Sequence, residues 1–212
     1  MIYFVGKSKM SGVLSDAEIE AALATGDVVY HHPSGGTPPR IGNCSIDVTL
    51  GRYFFRQNLA PGCAAINPFV VEDVHRMWGT VQQADNGFIT LAPHEHILAH
   101  TQEFIGGARN VTTMMKARST MGRSNITVCR DAGWGDIGYI NRWTMEITNN
   151  NDVDVILPVD APIAQIVFFH TGITKKSYQG RYQHQTDLSA IIASWAPESM
   201  LPKVHTASST SG

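Results

Sequence analysis

The sequence of 212 residues is poor in charge and nearly balanced, with sixteen Lys and Arg against eighteen Asp and Glu. A net charge of −2 provides no global positive field, so a nucleic-acid surface is not expected and any anionic ligand must be met by a local cluster. Cysteine is scarce too. Cys44, Cys63 and Cys129 are odd in number, widely spaced and contain no C-x-x-C, which argues against a disulfide framework and against the common half of a zinc site, and suits a reducing compartment. No apolar run approaches the roughly 20 residues of a membrane helix, and residues 1–10 lack the apolar stretch of a signal peptide. These absences predict a soluble, cytoplasmic protein with neither a membrane nor a nucleic acid as partner. No repeat at a period of roughly 20–50 residues is visible, which sets aside propellers and solenoids.

What is present is 43% hydrophobic residues, enough for a full core. Ser15-Asp16-Ala17-Glu18 reads as a capping box opening a short helix, with Ile19, Ala22 and Leu23 as its apolar stripe and Gly26 as its stop. It is the one helix the pattern supports. From Val28 onward, Gly, Pro, Asn and Asp clusters separate short runs rich in β-branched and aromatic residues: 45–50, 53–55, 88–91, 97–101, 111–115, 125–129, 143–148, 153–157 and 163–169. The last of these is too apolar to face water and is expected to be fully buried or at an interface. The chain reads as mostly β, a barrel or sandwich with a short N-terminal helix. One domain over 14–190 is expected, with an arm over 1–13 before it and a tail over 191–212 whose last dozen residues are small and polar.

Three segments invite a functional reading. Gly6-Lys7-Ser8 ends like a phosphate-binding loop but lacks the earlier glycine, and a plain N-terminal arm is the better account. His94-Glu95-His96 with His100 could place two imidazoles on one strand face as metal ligands, or could be exposed histidines after Pro93. The third segment carries more. Between Lys116 and Arg142 lie five basic residues (Lys116, Arg118, Arg123, Arg130, Arg142) and two acids (Asp131, Asp136), so the chain becomes locally basic. Arg118 and Arg123 bracket Ser119, Thr120 and Gly122, a set of guanidinium forks, hydroxyls and free amides suited to polyphosphate; a basic turn between strands is the alternative. Glu146 lies between Met145 and Ile147 in an apolar strand, where partial desolvation would raise its pKa toward the range of a proton shuttle, unless the strand leaves that face wet.

These segments together resemble the dCTP deaminase branch of the dUTPase-like superfamily. Leu14-Ser15-Asp16 with Ile19 and Gly26 is similar to its N-terminal helix, and Ser45-Ile46-Asp47-Val48-Thr49-Leu50-Gly51 to its Ser-x-Asp-x-x-Leu-Gly strand. Arg118-Ser119-Thr120-Met121-Gly122-Arg123 is similar to its Arg-Ser-Ser-x-x-Arg phosphate motif. Ala132-Gly133 and Asp136-Ile137-Gly138-Tyr139, on to Glu146, resemble its nucleoside hairpin and catalytic strand. Ala161-Pro162-Ile163-Ala164-Gln165 and the stretch from Tyr178 through Gly180, Arg181 and Gln183 to Gln185 resemble its last core strand and C-terminal closing segment. The hairpin departs from the family's Asp-Pro-Gly-Phe/Trp-x-Gly at Ile137 and Asn141, and Asp131 stands where a small residue is expected.

The resemblance implies a distorted β-barrel of the dUTPase-like (β-clip) type, assembled as a homotrimer with active sites at subunit interfaces and dCTP as substrate. It implies phosphate contacts from Arg118, Ser119, Thr120 and Arg123, a 3′-hydroxyl contact from Asp136, and further nucleotide contacts from Thr144, Met145, Glu146, Gln165, Tyr178, Arg181 and Gln185. Mg²⁺ would ride on the triphosphate, with no metal held by the protein. Glu146 would shuttle the proton, with the Ala132 carbonyl and Ser119 hydroxyl positioning water and Arg123 supporting developing charge. The first expectation is hydrolytic deamination of dCTP to dUTP and ammonia. Other readings are a dUTP pyrophosphatase or bifunctional deaminase and dUTPase, a silent nucleotide-binding regulator, and a metal enzyme built on His94 and His96.

Overall fold

The capping box forms. In the computed structural model, which describes residues 12–172, 174–176, 178, 180–183, 185 and 187–203, helix α1 (Asp16–Thr25) begins where Ser15 and Glu18 each accept from the other's backbone amide. It ends at Gly26, whose φ of 76° is left-handed backbone that glycine adopts freely. Ile19 and Ala22 turn inward. The chain then runs through β1 (Val28–His31), β2 (Arg40–Ile41), β3 (Ser45–Arg56), α2 (Val71–Met77), β4 (Gln82–Gln83), β5 (Phe88–Leu91), β6 (His96–Thr101), β7 (Phe104–Gly107) and β8 (Val111–Ala117). After α3 (Ser119–Arg123) come β9 (Ile126–Val128), β10 (Trp134–Gly135), β11 (Ile140–Asn141), β12 (Thr144–Asn149), β13 (Val155–Pro158) and β14 (Pro162–His170). Helix α4 (Leu188–Ser194) and a 3₁₀ turn (Pro197–Met200) follow.

A long, strongly curled sheet runs β10-β8-β14-β3-β6-β12-β9, with β2 and β4 also paired to β3; β1-β7-β11 and β13-β5 form smaller sheets. The distorted, mostly β barrel expected from the sequence is the architecture found. Strand β3 joins its halves. Its first part pairs with β14, with Ile46 opposite Ile166, and beyond an irregularity after Leu50 its last part pairs with β6, with Phe55 opposite Leu98. The runs 45–50 and 53–55 are therefore one strand. The apolar run 163–169 lies within β14, hydrogen-bonded on both sides to β3 and β8.

Alternation along β12 sends Met145 and Ile147 into the main core and leaves Thr144, Glu146 and Thr148 on the opposite, half-buried face. That opposite face is covered where it is apolar. Phe55 of β3 and Leu98 of β6 meet Val74 of α2, Trp78 and Met200 of the 3₁₀ turn in a second, smaller core.

Several elements differ from expectation. Four α-helices and a 3₁₀ turn occur among the described residues, not one helix. Helix α2 has no side-chain cap, and Arg118 ahead of α3 makes no capping bond either, so neither announces its start. Helix α4 runs across position 190, and Ile191 and Met200 are buried, so the described part of 191–203 is packed rather than loose. Val13 is bridged to Phe169, so the arm's last residue is tied to the barrel. Gly6-Lys7-Ser8 and residues 204–212 lie outside the described residues.

Candidate active site

The hairpin from Ala132 to Asn141 is shaped by close packing. A Cβ on Gly133 would come 2.7 Å from the Met115 carbonyl, and one on Gly135 would collide with Thr113 and the Trp143 ring. These two glycines lie against the barrel, and Ala132, Trp134 and Asp136, which alternate with them, face outward, exposed. The turn closes although Ile137 replaces the family's proline: the Tyr139 amide donates to the Asp136 carbonyl (3.0 Å) and Gly138 takes φ 91°. Tyr139 stands edge-on to Trp143 and to Tyr178, with ring centroids 5.4 and 5.2 Å away, and burial raises its phenol pKa, so it stays protonated.

This hairpin forms one wall of a cleft of about 500 Å³ that Ala132, Asp136, Thr144, Glu146 and Tyr178 line together. Glu146 is half-buried and lies directly opposite Leu98 in the β12–β6 register. Its charge is felt by its neighbours. It works against the burial that lowers the pKa of His96, and it adds to the burial that pushes the Cys129 thiol up to about 12.

The C-terminal segment closes over the hairpin by directed hydrogen bonds. The Tyr178 amide donates to the Ile137 carbonyl (2.8 Å), and the Gln183 side chain accepts from the Ile140 amide (2.7 Å) while donating to the Gly138 carbonyl (2.8 Å). Arg181 is exposed and donates to the Lys203 carbonyl (3.0 Å); Gln185 is exposed. Gln179 and His184 lie outside the described residues. Tyr182, Met200 and Pro202 also line the cleft, and neither they nor the Gln183 bridge were singled out from sequence. Tyr182 and Gln183 lie inside the closing segment that runs from Tyr178 to Gln185; Met200 and Pro202 lie in the expected tail.

The phosphate motif is built elsewhere. Arg118 forms an ion pair with Asp47 of β3, and Asp47 is the register partner of Gln165 on β14, so these three gather at one place. Ser119 and Thr120 are exposed at the start of α3 and Arg123 at its end. Arg118 and Thr120 line a second cleft of about 530 Å³ with Met121, Ile156 and Pro158, and this cleft has no lining residue in common with that of Glu146. Met145 is fully buried in the core and does not line the cleft. Arg142 does not join the basic cluster: its guanidinium lies 4.4 Å from the Trp195 ring centroid and 5.0 Å from that of Phe104.

The histidines are dispersed as well. His94 pairs with Asp152 (3.0 Å), His96 bonds Thr148 (2.9 Å), and His100 is buried between the Thr101 carbonyl and the Tyr53 amide. Among the described residues no three His, Cys, Asp or Glu side chains gather as a metal cage, and these three imidazoles do not converge on one point.

Residues 13–171 match the dCTP deaminase-like family. The protein named "dCTP deaminase, dUMP-forming" of Halobacterium salinarum is 31% identical over 156 residues, covering 74% of this chain and 79% of its own. A protein of the same name from Acidothermus cellulolyticus is 32% identical over 182 residues, covering 82% and 91%. The crystal structure of 2′-deoxycytidine 5′-triphosphate deaminase from Agrobacterium tumefaciens aligns with a TM-score of 0.58 at 16% identity, over 76% of this chain and 49% of that one. This chain thus spans about half of that structural relative, and the likeness is one of fold.

Proposed function

Since the chain belongs to the dCTP deaminase-like family, we propose that it hydrolyses dCTP to ammonia, pyrophosphate and dUMP. The observation that carries this reading is Glu146, a half-buried carboxylate in a cleft whose rim is the family's nucleoside hairpin. The product departs from the dUTP expected from sequence, because the relatives of Halobacterium and Acidothermus are named dUMP-forming.

In the deamination step Glu146 takes a proton from water, the hydroxide adds to cytosine C4, and Glu146 returns a proton to the amino group as ammonia departs. The Ala132 carbonyl and the Ser119 hydroxyl orient that water, and Arg123 offsets the charge that develops. Asp136 meets the 3′-hydroxyl. Arg118, Ser119, Thr120 and Arg123 hold the phosphates, with Gln165, Tyr178, Arg181 and Gln185 completing the nucleotide's surroundings. The phosphate motif is a set of guanidiniums and hydroxyls, which suits phosphate oxygens rather than a metal, so Mg²⁺ enters as the counter-ion of the triphosphate. A second water then attacks the α-phosphorus, releasing pyrophosphate.

The separation of the Glu146 cleft from the Arg118–Thr120 cleft supports a homotrimer in which one subunit's phosphate motif meets its neighbour's Glu146. The test is incubation of purified protein with dCTP and magnesium, with ammonia and pyrophosphate measured and dUMP separated from dUTP. Both small products with dUMP are expected. Accumulating dUTP without pyrophosphate would return the reading to a simple deaminase, and binding without ammonia would make the protein a regulator.

A further inference from the structure

Past the closing segment the chain does not leave the site. Helix α4 starts at Asp187, whose carboxylate accepts from the Ala190 amide (3.0 Å), and buries Ile191. Trp195 then seats on the sheet face that bears Glu146: its ring centroid is 4.7 Å from that of His100 and 6.5 Å from that of Tyr53, and the Arg142 guanidinium lies 4.4 Å from its own. Held there, the 3₁₀ turn places Met200, only 4% exposed, in the small core beside Leu98. Leu98 is the cross-strand partner of Glu146, and Leu98, Met200 and Pro202 all line the cleft. The apolar side of the cleft is thus built by the chain's own C-terminal residues packed on β6.

The chemistry of the base says which edge meets it. If Glu146 is to serve C4, as the proposed function on which this inference rests requires, the positions flanking C4 are N3, which needs a polar partner, and C5, which carries only hydrogen. Thr144, on the same strand face as Glu146, offers a hydroxyl to the polar edge. The Leu98–Met200–Pro202 side offers only carbon and sulfur. We propose that Met200 and Pro202, with Leu98, form an apolar wall against C5, held in place by the seating of Trp195, and that this wall makes the enzyme discriminate against cytosine nucleotides substituted at C5.

The test uses dCTP and 5-methyl-dCTP as probes on the full chain, as wild type, Met200→Ala, Met200→Leu and Trp195→Ala. Ammonia release gives kcat/KM for each nucleotide, and calorimetry in the Glu146→Gln background gives Kd without turnover. Wild type is expected to prefer dCTP by about tenfold or more, the scale of one methyl group against a packed wall. Met200→Ala and Trp195→Ala should erase most of that preference in both kcat/KM and Kd, and Met200→Leu should retain it. Equal use of the two nucleotides by wild type, or an unchanged preference in a folded Met200→Ala or Trp195→Ala protein, overturns the wall while leaving deamination intact. If dCTP neither binds nor reacts with wild type, the proposed function falls and the wall with it.

Discussion

Glu146 owes its position to a two-residue alternation that buries Met145 and Ile147 and turns the carboxylate to the other face. Replacing it by Gln keeps shape and hydrogen bonding but removes the proton carrier, so deamination should fall by at least about 10²-fold while nucleotide binding persists. Single-turnover assays with a parallel binding measurement check this; collapse of binding would make Glu146 structural. The same two residues made the position readable in advance, because a lone acid between apolar neighbours is visible in any sequence. The histidines were not, since His94, His96 and His100 differ only in what surrounds them once folded. Their dispersal predicts that deamination survives a zinc-selective chelator and fails with excess EDTA until magnesium is restored; rescue by zinc alone would contradict it. His100 makes a separate prediction. Burial holds it down from 6.5 to about 3, so below pH 6.5 the unfolded chain binds a proton that the folded chain refuses. Its contribution is intact above that pH and declines as pH falls toward 3, at up to about 1.4 kcal/mol per unit. Buried Glu103, its pKa raised by desolvation, acts in the opposite sense, favouring the fold at low pH and losing that effect as pH rises through its folded value. Denaturant melts of wild type and His100→Gln at about pH 7 and about pH 4 cancel the Glu103 effect, and the pH-dependent loss should be smaller in the variant.

At the scale of elements, α1 and most of the longer strands were legible because each carries its signal locally: the Ser15–Glu18 box, Gly26, and period-2 runs such as 88–91, found as β5. Helix α2, the 3₁₀ turn and strands of two residues such as β10 and β11 carry none; they exist because Val74, Met200 and the Gly135 backbone have somewhere to pack. Trp195 and Met200, isolated among Ser, Ala, Pro and Glu, read as a tail for the same reason. The closing segment can be tested as an element. Gln183 bonds both the Ile140 amide and the Gly138 carbonyl, so Gln183→Ala should loosen the closing segment by about 1–3 kcal/mol, the cost of stranding such groups. Hydrogen exchange at the Ile140 amide should accelerate while exchange in β14 is unchanged, and unaltered exchange at Ile140 would show that Gln183 does not hold the segment.

For the molecule as a whole, two clefts with no shared residue predict a site assembled from neighbouring subunits. Light scattering should give about three times 23.2 kDa. Mixing inactive Glu146→Gln and Arg123→Ala chains after dissociation should restore roughly a quarter of the wild-type rate by random assortment, since some sites then pair two intact halves. Mixtures that stay inactive would place both residues in one subunit's site. The division of β3 between two partners has a temporal consequence. Its first half must wait for β14, roughly 120 residues downstream, while its second half meets β6 within about 50. The β3–β6 pairing is thus poised to close first, and the apolar β14 to arrive last, so folding should be slow for a chain of this size, with an intermediate that leaves the barrel open along Ile46 and Val48 and vulnerable to association until Ile163 to Phe168 dock.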